Sequence, residues 1–225
     1  MTLLRDAQAR MPGPSWTTRG ELICDDYGGH KASFERGMAE VGCMAHARRK
    51  CYELHRSGKS QIAEQALKSI GRLYEIEAQA AGLPPEERQR LRNQQARPIA
   101  EALHAWMTTH RIKVPDGSGI ARALDYSLKR WAALTRYLGD GRVPIDNNWI
   151  ENQIRPIALG RKNWLFAGSQ RAGRRAAAVM SLIQSAKMSG RDPYAYLKDV
   201  LTRLPTHPNN RIEALLPQRW QPETA

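Results

Sequence analysis

The sequence predicts a helix-rich α/β protein, and three observations predict it. Two short apolar runs, Glu21–Asp25 and Val41–Met44, flank a segment able to form a short helix, the strand–helix–strand order of a parallel pair. From about Gln61 to Leu138, apolar residues recur every three or four positions, which is helical spacing. Two more helical stretches follow at Ala176–Met188 and Pro193–Leu204.

Residues 1–19 contain Pro12, Gly13 and Pro14 without a sustained period and read as an irregular leader. Glu21-Leu22-Ile23-Cys24-Asp25 reads as a strand stopped by Asp26-Tyr27-Gly28-Gly29. His30 to Glu40 can form a short helix, and Val41-Gly42-Cys43-Met44 a second strand running into Ala45-His46-Ala47-Arg48-Arg49-Lys50. Ile62, Ala66, Ile70, Leu73 and Tyr74 mark the first long helix. Leu83-Pro84-Pro85-Glu86-Glu87 ends it and starts another, which carries Leu91, Ile99, Leu103 and Trp106. A kink is expected at Pro98, because proline lacks the amide that a helix interior needs. Past the Pro115–Gly119 turn, Ile120, Leu124, Leu128, Trp131, Leu134 and Leu138 form the cleanest amphipathic stripe in the chain. The tryptophans of these stripes read as core. The helix 176–188 stops at Ser189-Gly190.

Composition narrows the class. The 225 residues are enough to bury a core, and 41% hydrophobic with 25% charged residues is the balance of a folded chain. No apolar run approaches the roughly 18 residues of a membrane span, and Met1–Asp6 leads into no signal-peptide core. Three cysteines, an odd number, fit a reducing, cytosolic compartment better than a disulfide framework. The net charge of +13 makes nucleic acid the partner to test.

That charge is uneven. Residues 1–150 hold 23 basic and 17 acidic side chains, whereas residues 151–225 hold 12 and 5. Between Asn152 and Arg191 there is no acid. The stretch contains Arg155, Arg161, Lys162, Arg171, Arg174, Arg175, Lys187 and Arg191, with Trp164 and Phe166 among them. Basic groups interleaved with aromatics suit phosphate contact and base stacking or wedging. A solvated surface has the same composition, and Trp164 is equally suited to a core.

Two carboxylates stand out. Asp25 ends a buried-looking strand, where a carboxylate is costly unless it binds a metal or a partner; beside Gly28-Gly29 it also reads as a turn residue. Glu151 lies in Pro144-Ile145-Asp146-Asn147-Asn148-Trp149-Ile150-Glu151-Asn152. There Asn148-x-x-Glu151 has the spacing of a capping box, with Asn148 as N-cap. Cys43, His46, Cys51 and His55 superficially offer four zinc ligands, although Cys43 need not reach the helical pair Cys51 and His55.

Val143–Asn148, Glu151-Asn152, Ile154-Arg155-Pro156 and Gly160-Arg161-Lys162-Asn163-Trp164-Leu165-Phe166-Ala167-Gly168-Ser169 together resemble the acidic-residue block of bacterial transposases of the insertion-sequence sixty-six type. Cys43–Lys50, Ser181–Lys187, Gly190–Leu197 and Leu215-Leu216-Pro217 extend the resemblance, in order, from about Leu22 to Trp220. It implies a DDE transposase with a ribonuclease-H-like core, whose three carboxylates hold two Mg²⁺ ions. Asp25 matches the second acid and Glu151 the third, so both are candidate catalytic and metal-binding residues. The helical stretch between them matches an insertion before the glutamate. Arg155, Arg161, Lys162, Arg174 and Arg175 are then candidate DNA contacts, with Trp164 a stacking or wedge candidate.

The resulting expectation is a partial ribonuclease-H-like core interrupted by a large helical insertion. Residues 1–19 form the leader, 20–58 the βαβ part of the core, 59–140 the insertion, and 141–225 the glutamate helix and basic carboxy-terminal helices. Upstream of Asp25 the only acids are Asp6 and Glu21. Three strands with their connections need on the order of 40–60 residues, so the chain is expected to lack the first catalytic Asp and to be a truncated, carboxy-terminal part. Asp26 and Cys51 also depart from the family's usual glycine and aromatic residue. The expected function is Mg²⁺-dependent cleavage and strand transfer at transposon ends. The alternative is a non-catalytic DNA-binding or regulatory fragment that pairs with full-length transposase. Expected partners are transposon-end and target DNA and a second copy or full-length chain, with no membrane. A basic helical interaction protein would explain the stripes but not the order of the matched segments.

Overall fold

The computed structural model describes residues 20–25, 28–160 and 168–222. The leader expected at residues 1–19 lies outside them. The chain divides into two compact units, residues 1–150 and 151–225. Helix dominates, and the described residues hold two strands.

In the first unit, β1 (Glu21–Cys24) and β2 (Ala39–Gly42) pair in parallel, with Glu21 opposite Ala39 and Cys24 opposite Gly42. A 3₁₀ turn (Gly28–His30) and α1 (Lys31–Glu35) connect them. The helix is shorter than the His30–Glu40 expected, and β2 begins two residues earlier than Val41. Gly37 is the cause. At φ 96° it takes the left-handed conformation that closes a helix. Its amide bonds Phe34 O at 3.0 Å and the Met38 amide bonds Ser33 O at 3.2 Å. Ala39 is thereby released to bond Gly20 O at 2.9 Å.

The remaining elements of this unit are α2 (Met44–Gly58), α3 (Gln61–Gln79), α4 (Pro85–Leu91), α5 (Arg97–Ile112), α6 (Gly119–Lys129) and α7 (Trp131–Thr135). Ser60 and Ser118 cap α3 and α6 by accepting from the Ala63 and Ala121 amides, which satisfies a donor that a helix start leaves open. The kink expected at Pro98 takes the form of a π turn over Arg92–Ala96, in which the Arg97 amide reaches back to Arg92 O. The apolar stripe from Ile120 to Leu138 is divided: α6 ends, Arg130 sits at φ −112° and ψ 16°, and α7 passes into a 3₁₀ turn at Arg136–Gly139.

One core gathers these elements. It contains Val41, Met44, Ala47 and Cys51; Ala66, Ile70, Leu73 and Ile76 of α3; Leu103 and Met107 of α5; and Leu124, Leu134, Tyr137, Val143 and Ile145. Trp106 and Trp131 pack against it half-buried, as their stripes imply. Gly141 allows the following turn to close on α4, since a Cβ there would lie 1.7 Å from Pro85 O.

A further helix, α8 (Asn148–Gly160), starts at the end of the first unit and continues into the second. The second unit adds α9 (Gln170–Met188), α10 (Pro193–Arg203) and short 3₁₀ turns. α9 begins six residues before Ala176 because Ser169 caps it, accepting from the Ala172 amide at 3.1 Å. Asp192 caps α10 in the same way at 2.7 Å. A small core of Ala186, Tyr196, Val200, Leu215 and Trp220 holds the unit. Tyr196 and Trp220 meet edge to face at 5.6 Å, and the indole N–H donates to Asp199 at 2.6 Å. Among the described residues no helix is long and apolar enough to cross a membrane.

Candidate functional site

Asp25 follows the last residue of β1, and its side chain is 45% exposed. The strand it ends is less buried than its apolar sequence suggests: only Cys24 is fully covered. Burial therefore does not make this carboxylate costly. Its Oδ2 lies 3.8 Å from Nε2 of His46, in the first turn of α2. Helix and strand are joined there by the short link after β2, so the parallel pairing sets Asp25 and His46 side by side. The Asp25 carbonyl accepts from the Tyr126 hydroxyl at 3.5 Å.

Arg130 buttresses this corner. Its guanidinium pairs with Glu40 of β2, donates to the Tyr126 hydroxyl at 3.2 Å and lies 5.5 Å from the Tyr126 ring centroid. These contacts give a physical reason for the break between α6 and α7, where an uninterrupted helix would carry the side chain elsewhere.

The approach to Glu151 is also built inside the first unit. Val143 and Ile145 are buried, and Ile145 O accepts from the Met44 amide at 3.1 Å, against the start of α2. Asp146 then accepts from the Tyr74 hydroxyl at 2.7 Å, the Asn148 amide at 3.0 Å and the Asn148 side-chain amide at 2.9 Å. Burial, and then the neighbouring Asp146 charge, push the Tyr74 phenol well above its ordinary range, which keeps it a donor. Asp146 thus forms an Asx turn with the Asn148 amide, and Asn148 is the first helical residue, one position beyond the N-cap place expected from Asn148-x-x-Glu151. Glu151 lies in the first turn of α8 and is the first residue of the second unit. Tyr74→Phe is expected to cost about 1.5–3 kcal/mol, because a hydrogen bond to a charged acceptor is removed; urea unfolding monitored by far-ultraviolet dichroism measures it.

The possible zinc set does not assemble. Among the described residues no three of Cys43, His46, Cys51 and His55 converge. His46 turns to Asp25, His55 Nδ1 is 3.5 Å from Ser60 O, and both cysteines are buried free thiols. Burial pushes the Cys51 thiol up to about 11, away from the thiolate that zinc requires.

Of the candidate DNA contacts, Arg155 is exposed on α8, and Arg174 and Arg175 are exposed on α9 with Arg171. Arg161, Lys162 and Trp164 lie outside the described residues. Arg171, Arg174 and Arg175 stand at i, i+3 and i+4 in the first two turns of a 19-residue helix, where no acid offsets them. Cations at a helix amino terminus oppose its dipole, and an anion drawn to them relieves that conflict.

The family model described as "Transposase IS66 family" matches residues 6–175, and the one described as "IS66 C-terminal element" matches residues 181–218. In Sinorhizobium fredii, a protein named "Uncharacterized protein y4hP" is 42% identical over 195 residues, covering 81% of this chain and 35% of that protein. "Uncharacterized protein y4qI" is 39% identical over 213 residues, covering 91% and 40%. "Uncharacterized protein y4jD" is 36% identical over 211 residues, covering 90% and 41%. The chain thus spans between 35% and 41% of these curated relatives' length. No solved structure matches.

Proposed function

The chain belongs to the IS66 family of transposases, and on that premise we propose that it serves DNA transposition, with Asp25 and Glu151 as two of the carboxylates that hold Mg²⁺. The strand–helix–strand unit β1–α1–β2 is read as part of a ribonuclease-H-like core, with α3–α7 as the insertion before the glutamate. Asp25 carries the reading: a solvent-accessible carboxylate at the carboxyl end of a parallel strand, beside a histidine in the first turn of α2.

The donor chemistry fits. Mg²⁺ takes oxygen ligands and binds through one or two carboxylates, which Asp25 and Glu151 would supply. His46 offers nitrogen and is read as orienting Asp25. Bound divalent ions would help form the attacking hydroxyl and stabilise the leaving oxygen in an in-line displacement at a phosphodiester. The residues themselves hold and aim: Tyr126 and Arg130 fix the backbone at Asp25, and Tyr74 and Asp146 fix the start of the Glu151 helix. Glu21 is not a third ligand, since it opens β1 four residues away, about 13 Å along an extended strand.

Arg155, Arg174 and Arg175 are proposed to contact the phosphate backbone, with Arg161, Lys162 and Trp164 as further contacts. DNA affinity is expected to fall steeply between roughly 50 and 200 mM salt, each phosphate contact adding about 0.9 to the log–log slope. Arg174→Gln/Arg175→Gln should flatten that slope. Fluorescence anisotropy with a labelled duplex tests this, and a flat salt response in the parent chain would refute it.

One observation favours a second reading, a regulatory product that pairs with full-length transposase. Among the described residues β1 has β2 as its one neighbour, and an uncovered strand edge is a template for another chain. Co-purification with a longer family member distinguishes this reading.

A further inference from the structure

Helix α2, in the first unit, carries a basic face of its own; the arginines of α9 belong to the second unit. Arg48, Tyr52 and Arg56 stand at i, i+4 and i+8, with Arg49 one turn before Tyr52 and beside Arg48. At 3.6 residues per turn these four side chains share one side of the helix, spread over about 12 Å of its axis. The three arginines are exposed and Tyr52 is 46% exposed between them. The opposite side, Met44, Ala47 and Cys51, is buried in the core. The face is therefore fixed outward by packing behind it.

Unlike eight other arginines of the unit, Arg48, Arg49 and Arg56 make no hydrogen bond among the described residues, although the Arg48 charge bears on the Tyr74 phenol. Arg88, Arg92, Arg97, Arg111, Arg122, Arg130, Arg136 and Arg142 each donate to a carbonyl, a carboxylate or another side-chain oxygen. Among the described residues Arg48, Arg49 and Arg56 enter no ion pair. The only acid on α2, Glu53, adjoins this face. On the neighbouring α3, Glu64 is occupied by Lys68 at 2.8 Å. A face with three exposed guanidinium groups around an exposed phenol has the chemistry of phosphate contact with a ring against sugar or base.

We infer that the Arg48–Arg49–Tyr52–Arg56 face of α2 is a second contact surface for the backbone of duplex DNA. It rests on the DNA reading above and extends it. Arg48 lies two residues beyond His46 on the same helix, so DNA held here lies along the element that carries the Asp25–His46 corner. The contacts are to phosphate and are independent of sequence.

The test uses the full chain and a labelled duplex of arbitrary sequence, titrated at several salt concentrations. Arg48→Gln/Arg49→Gln/Arg56→Gln is expected to weaken binding at least tenfold near 100 mM salt, and to flatten the salt slope by roughly 0.9 for each phosphate left without its arginine. The matching Arg→Lys triple should keep most of the slope, which separates charge from folding, and melting curves should leave both variants folded. Parent-like affinity and slope in the Gln triple, with weaker binding by Arg174→Gln/Arg175→Gln, would overturn this surface and leave the DNA reading intact. A parent chain whose binding ignores salt would overturn both.

Discussion

Arg92→Met is expected to lower the unfolding free energy by about 3–5 kcal/mol, the cost of stranding a buried charge. The arginine is fully buried. Its Nε and Nη2 donate to the two carboxylate oxygens of Glu77 at 2.8 and 2.7 Å. The two N–H groups of Nη1 are shared among the carbonyls of Tyr137, Asp140 and Val143, each at 2.9 Å. The guanidinium thus ties α3 and the π turn to the segment that leads to Asp146 and α8. Methionine leaves Glu77 without its partner and three carbonyls without a donor. Lysine should rescue little, since one ammonium cannot fork to a carboxylate and also reach the carbonyls. Arg92→Met/Glu77→Leu should recover part of the loss, because an apolar pair removes the stranded charge. Urea unfolding of the three variants measures this; a loss below about 1 kcal/mol in the single variant would contradict the buried-pair account.

Asp25→Asn and Glu151→Gln are each expected to weaken divalent-ion binding at least about tenfold, since even groups that only support metal ligands typically contribute that much. Each amide keeps the size of its acid and removes the charge that an oxygen-preferring cation needs. Asp25 is exposed and Glu151 lies in the first turn of α8, so neither change opens a cavity. His46→Gln should produce a smaller loss, because its proposed part is to orient Asp25.

Much of the fold was legible in local spacing. The strand–helix–strand order, the α3 stripe and the stop after Met188 depend on neighbours a few residues apart. The misplaced boundaries depend on something further away. Gly37 shortened α1 through a six-residue closure that composition does not reveal, and Arg130 divided a continuous stripe through an ion pair to Glu40, 90 residues upstream. Arg92 is the extreme case: an arginine beside polar Asn93, Gln94 and Gln95 reads as solvent-facing, and only the arrival of residues 137–143 buries it.

The site was legible in part for the same reason. The basic α9 residues stand out from charge alone, whereas Asp25 reads from its position only as a strand-end or turn residue and gains a metal role through the family resemblance. Asp146 was missed, though an aspartate two residues before a helix can accept the helix's first amide in an Asx turn. The pairing of Asp25 with His46 needs the parallel register of β1 and β2, which no local pattern fixes. The zinc spacing of Cys43, His46, Cys51 and His55 misleads, because the core claims both thiols.

The most direct test is titration of the chain with Mn²⁺, followed by electron paramagnetic resonance of the free ion, with Mg²⁺ as competitor. Saturable binding that Mg²⁺ displaces is expected, weakened by Asp25→Asn and by Glu151→Gln, with the double variant no weaker than the poorer single one. Equal binding by the parent chain and both single variants would contradict a metal site shared by Asp25 and Glu151.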